Sequence, residues 1–190
     1  MIDKDKFEFI KQKYGYLSSW AIWADEDEKP KSNIGDLSVF EQENVWTLLN
    51  PNIILVGLNI SRGCIKYPLA NFHDARPEAT DYKIRYAFRD TPFSGAYMTD
   101  IIKDFDQKSS GKVATYLRNN KTFEEHNINL FIEELEDLGV TEPTIIAFGN
   151  EVHSILNRNF KNKYQILKVP HYANYSSKET YREEVRQISC

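Results

Sequence analysis

The chain has 190 residues, 41% hydrophobic and 27% charged, with 8 Gly and 7 Pro, which suits one well-buried domain and excludes collagenous, disordered and low-complexity classes. The net charge of -4 argues against a uniformly basic nucleic-acid binder. That charge is segregated, with net +3 over 57–120 and over 151–190 against -4 over 1–56 and -6 over 121–142, so a positive face is one expectation and spatial mixing of the two signs the other.

Residues 1–20 are charged throughout, and no later run of about 18 apolar residues offers a membrane span. The chain is therefore read as cytoplasmic, monomeric and not membrane-bound. Phe7, Ile10, Tyr14 and Leu17 predict a first amphipathic helix, and Asp25 to Glu28 a solvated acidic loop. The run Asn52 to Leu58 predicts a strand buried on both faces. Tyr82 to Arg89 interleaves basic and aromatic residues, which suits either a single-strand surface or an amphipathic helix with a solvated face. Ala96 to Ile102 predicts a second strand. Thr122-Phe123-Glu124-Glu125 has capping-box spacing, and the apolar stripe Ile128, Phe131, Ile132, Leu135 and Leu138 continues to a stop at Gly139. Thr144 to Gly149 and Tyr164 to Val169 predict two more strands, each followed by a helix, capped by Asn150 and by Ser177.

Strands alternating with helices predict a single α/β domain, a four-stranded parallel sheet with helices on both faces. It spans 1–190, with 1–50 as a helical and acidic N-terminal extension and 51–190 as the core. Ligands of such sheets bind beyond the carboxyl ends of the strands, which directs attention to the segments following each strand. Val56-Gly57-Leu58-Asn59-Ile60-Ser61-Arg62-Gly63 leaves a buried strand into a turn. Its glycines let backbone amides approach a ligand, and Asn59 supplies a donor and an acceptor. The spacing matches neither a Walker loop nor a dinucleotide fingerprint, and an ordinary turn is the plainer alternative. Pro170-His171-Tyr172-Ala173-Asn174-Tyr175-Ser176 follows the last strand. There His171 suits the stabilisation of developing negative charge, although a lone loop histidine is commonly structural. Phe72-His73-Asp74 reads as loop structure rather than a catalytic pair. No His, Cys, Asp and Glu set has metal-ligand spacing, so no metal or cofactor is expected. Cys64 and Cys190 are read as free thiols, too few for a disulfide framework or an iron–sulfur cluster.

In their order along the chain, these motifs resemble the uracil-DNA glycosylase superfamily. Gly57-Leu58-Asn59 looks like its Gly-hydrophobic-Asn first motif, as in the mismatch-specific and single-strand-selective branches. His171 to Ser176 looks like a degenerate His-Pro-Ser-Pro-Leu-Ser second motif. Tyr97-Met98-Thr99-Asp100-Ile101-Ile102-Lys103 resembles the middle strand, Ile145 to Asn150 the strand and Gly before the penultimate helix, and Phe72 stands near the position of the base-stacking ring. The resemblance covers about residues 50–180.

It implies the family's fold and the release of a flipped base from DNA by hydrolysis of its N-glycosidic bond. Asn59 would position the attacking water and His171 would hydrogen-bond the departing base. Gly57, Leu58, Phe72 and Asp100 would hold the base, while Ser61, Arg62, Lys103, Tyr172, Asn174 and Ser176 would contact the strand. Five positions depart from the family's pattern: Ile60 stands for Pro, Ser61 for Gly, Tyr172 and Ala173 for Pro and Ser, and Asp100 for the Asn that reads uracil. An ionised Asp100 only accepts, so it suits an edge with two donors, as guanine has, better than uracil; a turn cap is its plainer role. The paucity of cysteines excludes the iron–sulfur branches as close relatives. Two alternatives stay open, a non-catalytic nucleic-acid or nucleotide-binding module of the same fold and a nucleoside N-glycosidase.

Overall fold

In the computed structural model, which describes residues 2–61, 65–103 and 105–189, five strands form one sheet. They are β1 (Ser18–Trp20), β2 (Asn50–Asn59), β3 (Ala96–Ile102), β4 (Thr144–Phe148) and β5 (Gln165–Val169), in the spatial order β1-β3-β2-β4-β5. The four strands expected from the sequence are the parallel ones. The fifth corrects that count: β1 pairs antiparallel with β3 through Ser18↔Thr99, Ser19↔Met98 and Trp20↔Tyr97. Three residues, two of them serines, carry no alternation to read, and the strand exists because β3 offers an edge. It lies within the segment expected as an extension.

The central strand β2 begins two residues ahead of its apolar run. Pro51 is tolerated there because pairing with β3 is irregular between Asn50 and Ile54, so no ladder hydrogen bond is lost at a regular position. Alternate side chains then go to opposite faces. Ile54, Val56 and Leu58, with Tyr97, Ile101, Ile145 and Ala147, pack under α1 (Lys4–Tyr14), α3 (Ser110–Asn119), α4 (Lys121–Leu138) and α5 (Asn150–Phe160). Leu55, Met98, Ile146 and Phe148 pack under α2 (Tyr82–Phe88) and α6 (Lys178–Gln187). Helices thus cover both faces, as the alternation implies.

Asp3 caps α1 by accepting from Lys6 N–H at 2.8 Å, and Ser177 caps α6 by accepting from Thr180 N–H at 3.0 Å. The capping box expected at Thr122 does not open α4, which starts one residue earlier. Asn120 ends α3 and precedes α4 at once, and its amide donates to Tyr116 O at 2.8 Å. Asn150 is likewise not a cap but the first residue of α5, its Oδ1 accepting from Lys168 Nζ at 3.1 Å; the preceding residue is Gly149, at φ 91°. Gly139 does stop α4, at φ 75°, with its N–H turned back to Glu136 and Leu135 carbonyls. Among the described residues, no helix is long and apolar enough to cross a membrane.

Candidate functional site

A cleft of about 920 Å³ opens at the carboxyl ends of β2 to β5, where residues 57–61, Asn71 to Arg76, Asp100, Phe148 to Val152 and His171 to Asn174 meet. Of the site residues expected from the sequence, Gly57, Leu58, Asn59, Ser61, Phe72, Asp100, His171, Tyr172 and Asn174 all line it. The ends of β2, β3, β4 and β5 are joined there because parallel strands end on one edge, and the 71–76 loop completes the wall.

The floor is built around Gly57, whose register neighbour on β3 is Asp100. A Cβ on Gly57 would lie 2.3 Å from Asp100 Oδ1 and 3.2 Å from Phe72 Cζ. Glycine is therefore required for space, and the space is taken by the carboxylate and the ring, where the sequence suggested a ligand approaching the backbone. Phe72 stands at φ 63°, a region that bulky residues rarely occupy. Its loop is held by Asn71, which the sequence reading passed over: Nδ2 donates to Leu17 O at 3.0 Å and to Asp100 Oδ2 at 2.9 Å, and Oδ1 accepts from Phe72 N–H at 3.2 Å. The Phe72 ring is only 5% exposed and packs 6.3 Å from Phe148, so it is both core and cleft wall. Burial pushes the Asp100 carboxyl up to about 6, opposed by the Asn71 hydrogen bond and the Lys103 charge. At neutral pH it is mainly a carboxylate.

Asn59 and His171 stand at the ends of β2 and β5. Asn59 Nδ2 donates to Phe105 O at 2.7 Å and to Gln107 O at 2.9 Å. Both amide hydrogens are committed to holding the chain after β3, which corrects the expectation of a donor and an acceptor: only Oδ1 is left, as an acceptor. His171 Nδ1 accepts from Ala173 N–H at 3.1 Å, which places the neutral ring's hydrogen on Nε2. The ring stacks on Tyr172 at 4.4 Å, and Tyr172 meets Phe148 edge-on at 5.3 Å. Asn174 N–H closes the turn onto His171 O at 2.9 Å. From beneath, Lys83 of α2 donates to the carbonyls of Asn174 at 2.8 Å and Ser176 at 2.7 Å.

Several expectations are corrected by where side chains point. Lys103 does not face the cleft. Its Nζ is 2.5 Å from Glu134 Oε2 and also meets Thr99 Oγ1, while Glu134 accepts from Tyr97 Oη at 2.6 Å. This buried network lies under α4, on the opposite side of the sheet from Asp100, so Lys103 cannot reach a strand in the cleft. Ser176 lies outside the cleft lining, its carbonyl being one of the Lys83 acceptors. Arg62 lies outside the described residues, as do Cys64 and Cys190.

The basic residues of α2 likewise turn inward. Lys83 holds the His171 loop, and Arg85 donates to Ala24 O and Pro30 O, both at 3.0 Å. Only Arg89 reaches outward, to Asp25 at 3.0 Å. Neither a single-strand surface nor a solvated basic face forms there, because those cations are taken up by loop carbonyls. His73 is 4% exposed, stacked on Trp23 and hydrogen-bonded to Ile22 O at 3.0 Å; burial holds it below the usual histidine range. Asp74 pairs with Arg76 at 2.8 Å. This trio is loop structure, as read from the sequence.

The described cleft lining carries Lys66, Arg76 and Lys108 against Asp74, Asp81, Asp100 and Glu151, a mixture rather than a positive face. Tyr67, on the rim, and Tyr175, beside Asn174, are strongly exposed aromatics that only the loop geometry reveals. The chain matches no family model, no curated protein and no solved structure.

Proposed function

We propose that this cleft takes up a base flipped out of a nucleic-acid strand and that the chain hydrolyses its N-glycosidic bond, the base being one other than uracil. The observation that carries the reading is the convergence of Gly57, Asn59, Phe72, Asp100 and His171 on a single cleft. In this reading the base lies against the Phe72 ring, a contact of about 1–3 kcal/mol. Asn59 Oδ1 accepts from a water and aims its oxygen at the sugar carbon. The bond from that carbon to the base nitrogen breaks as the bond to water oxygen forms, the electron pair leaves with the base, and the proton the water sheds ends on the base, giving the free base and a sugar hydroxyl. His171 Nε2–H donates to the base as its negative charge grows, an interaction strongest in the transition state.

Base release from oligonucleotides carrying uracil, hypoxanthine, xanthine, mismatched thymine or alkylated bases tests the reading, with Asn59→Ala and His171→Ala beside the wild type. Release abolished in both variants supports it. One observation favours binding without hydrolysis: Asn59 spends both amide hydrogens on the 105–107 segment. Salt-sensitive DNA binding with no release from any substrate would establish that second reading. The mixed lining charge favours a nucleoside substrate, which would be hydrolysed with little response to salt.

A further inference from the structure

On the floor of the cleft, the polar group that meets a ligand lying on Phe72 is a carboxylate. Asp100 Oδ1 and the Phe72 ring edge both crowd the point where a Gly57 Cβ would stand, so ring and carboxylate are neighbours where both line the cleft. Asn71 adds no reading group of its own. Its two amide hydrogens go to Leu17 and Asp100 and its oxygen accepts from Phe72 N–H. A carboxylate offers about four lone-pair sites, and among the described residues Asn71 fills one. Behind the sheet Lys103 spends its hydrogen bonds on Glu134 and Thr99, so its charge acts on Asp100 only at a distance and fills none of its lone pairs. The floor therefore presents acceptors and asks for donors.

We infer that the cleft selects a heterocycle whose edge carries a ring N–H beside an exocyclic amino group, the cyclic guanidine edge of a guanine-type base, and discriminates against uracil and thymine. Two parallel N–H donors meet a carboxylate as a fork, the arrangement that makes such pairs strong. Uracil brings a carbonyl oxygen to the same place, lone pair against carboxylate, and forfeits one bond while suffering repulsion. Hypoxanthine keeps the ring N–H and lacks the amino group, so it falls between. This inference rests on the base-binding part of the reading above and is independent of the hydrolytic step.

The test is equilibrium binding of 9-methylguanine, 9-methylhypoxanthine, 1,9-dimethylguanine and 1-methyluracil to the full chain at pH 8. None of these ligands has a glycosidic bond to break. The wild type is expected to bind 9-methylguanine at least about tenfold more tightly than either analogue lacking one donor, and 1-methyluracil most weakly. Asp100→Asn is expected to erase the preference. Should that variant fail to fold, the wild-type series decides alone, because 1,9-dimethylguanine removes the donor from the ligand. Equal affinities, or a preference for 1-methyluracil, would overturn this inference and leave the base pocket standing. No binding of any of the four would overturn both.

Discussion

Gly57→Ala tests the construction of the cleft floor without touching Asn59 or His171. The added methyl would sit 2.3 Å from Asp100 Oδ1, about 1.1 Å inside the 3.4 Å at which ordinary contact begins, and 3.2 Å from the Phe72 ring. Neither neighbour can step aside freely. Asp100 is buried and held by Asn71 at 2.9 Å, and Phe72 packs against Phe148. Overpacking of this kind costs about 1–3 kcal/mol, and loss of a hydrogen bond to a charged group adds up to about 1.5–3 kcal/mol. A total of about 3 kcal/mol corresponds to a fall in Tm of roughly 6–12 °C for a chain of this length. The decisive assay is a urea-denaturation cycle with Asp100→Ala. Removing the carboxylate opens the space the methyl needs, so the double variant is expected to be more stable than the sum of the singles by about 1–3 kcal/mol. Energies additive to within about 0.5 kcal/mol would refute the claim that Gly57 is there to accommodate Asp100.

Four further outcomes follow from the same geometry. The Asp100 carboxyl is raised from 3.8 to about 6 by burial, with Asn71, Asp81, Lys103 and Glu134 as its charged or polar surroundings. A raised carboxyl binds its proton more tightly folded than unfolded, so wild type relative to Asp100→Asn should lose up to about 3 kcal/mol as pH rises from about 4 to 6; urea midpoints that keep a constant difference across that range would contradict it. Lys103→Met should cost about 3–5 kcal/mol in urea denaturation by stranding Glu134, with the salt dependence of any DNA binding unchanged. Asn59→Asp should destabilise the fold and, under the proposed function, slow base release, because a carboxylate cannot donate to Phe105 O and Gln107 O; faster release would show that those bonds are dispensable. Lys83→Met should speed hydrogen exchange at the Asn174 amide, since the turn it closes is pinned by the Lys83 ammonium.

How far the site was legible depended on the kind of information each residue carries. Gly57 and Asn59 lie in the last residues of β2 and His171 two residues past β5, and strand ends of a parallel sheet face one edge, so their meeting could be argued from order alone. The facing of Lys103 could have been questioned from its odd offset to Asp100, since neighbouring strand positions alternate. Asn71 gave no such signal, because its role is to tie Leu17, Phe72 and Asp100, residues brought together only by folding. The inward turn of Lys83 and Arg85 was hidden for the same reason: their acceptors are carbonyls in loops at residues 174–176 and 24–30.

The four parallel strands, the helical stripes, the stop at Gly139 and the cap at Ser177 were properties of local sequence. They follow from hydrophobic period, propensity and cap chemistry, which act over a few residues. The fifth strand, the burial of the Lys103–Glu134 pair and the commitment of the Asn59 amide were decided by tertiary structure alone. Each is the satisfaction of a backbone or charged group by a partner far along the chain, and what that partner is depends on which surfaces the sheet brings into contact.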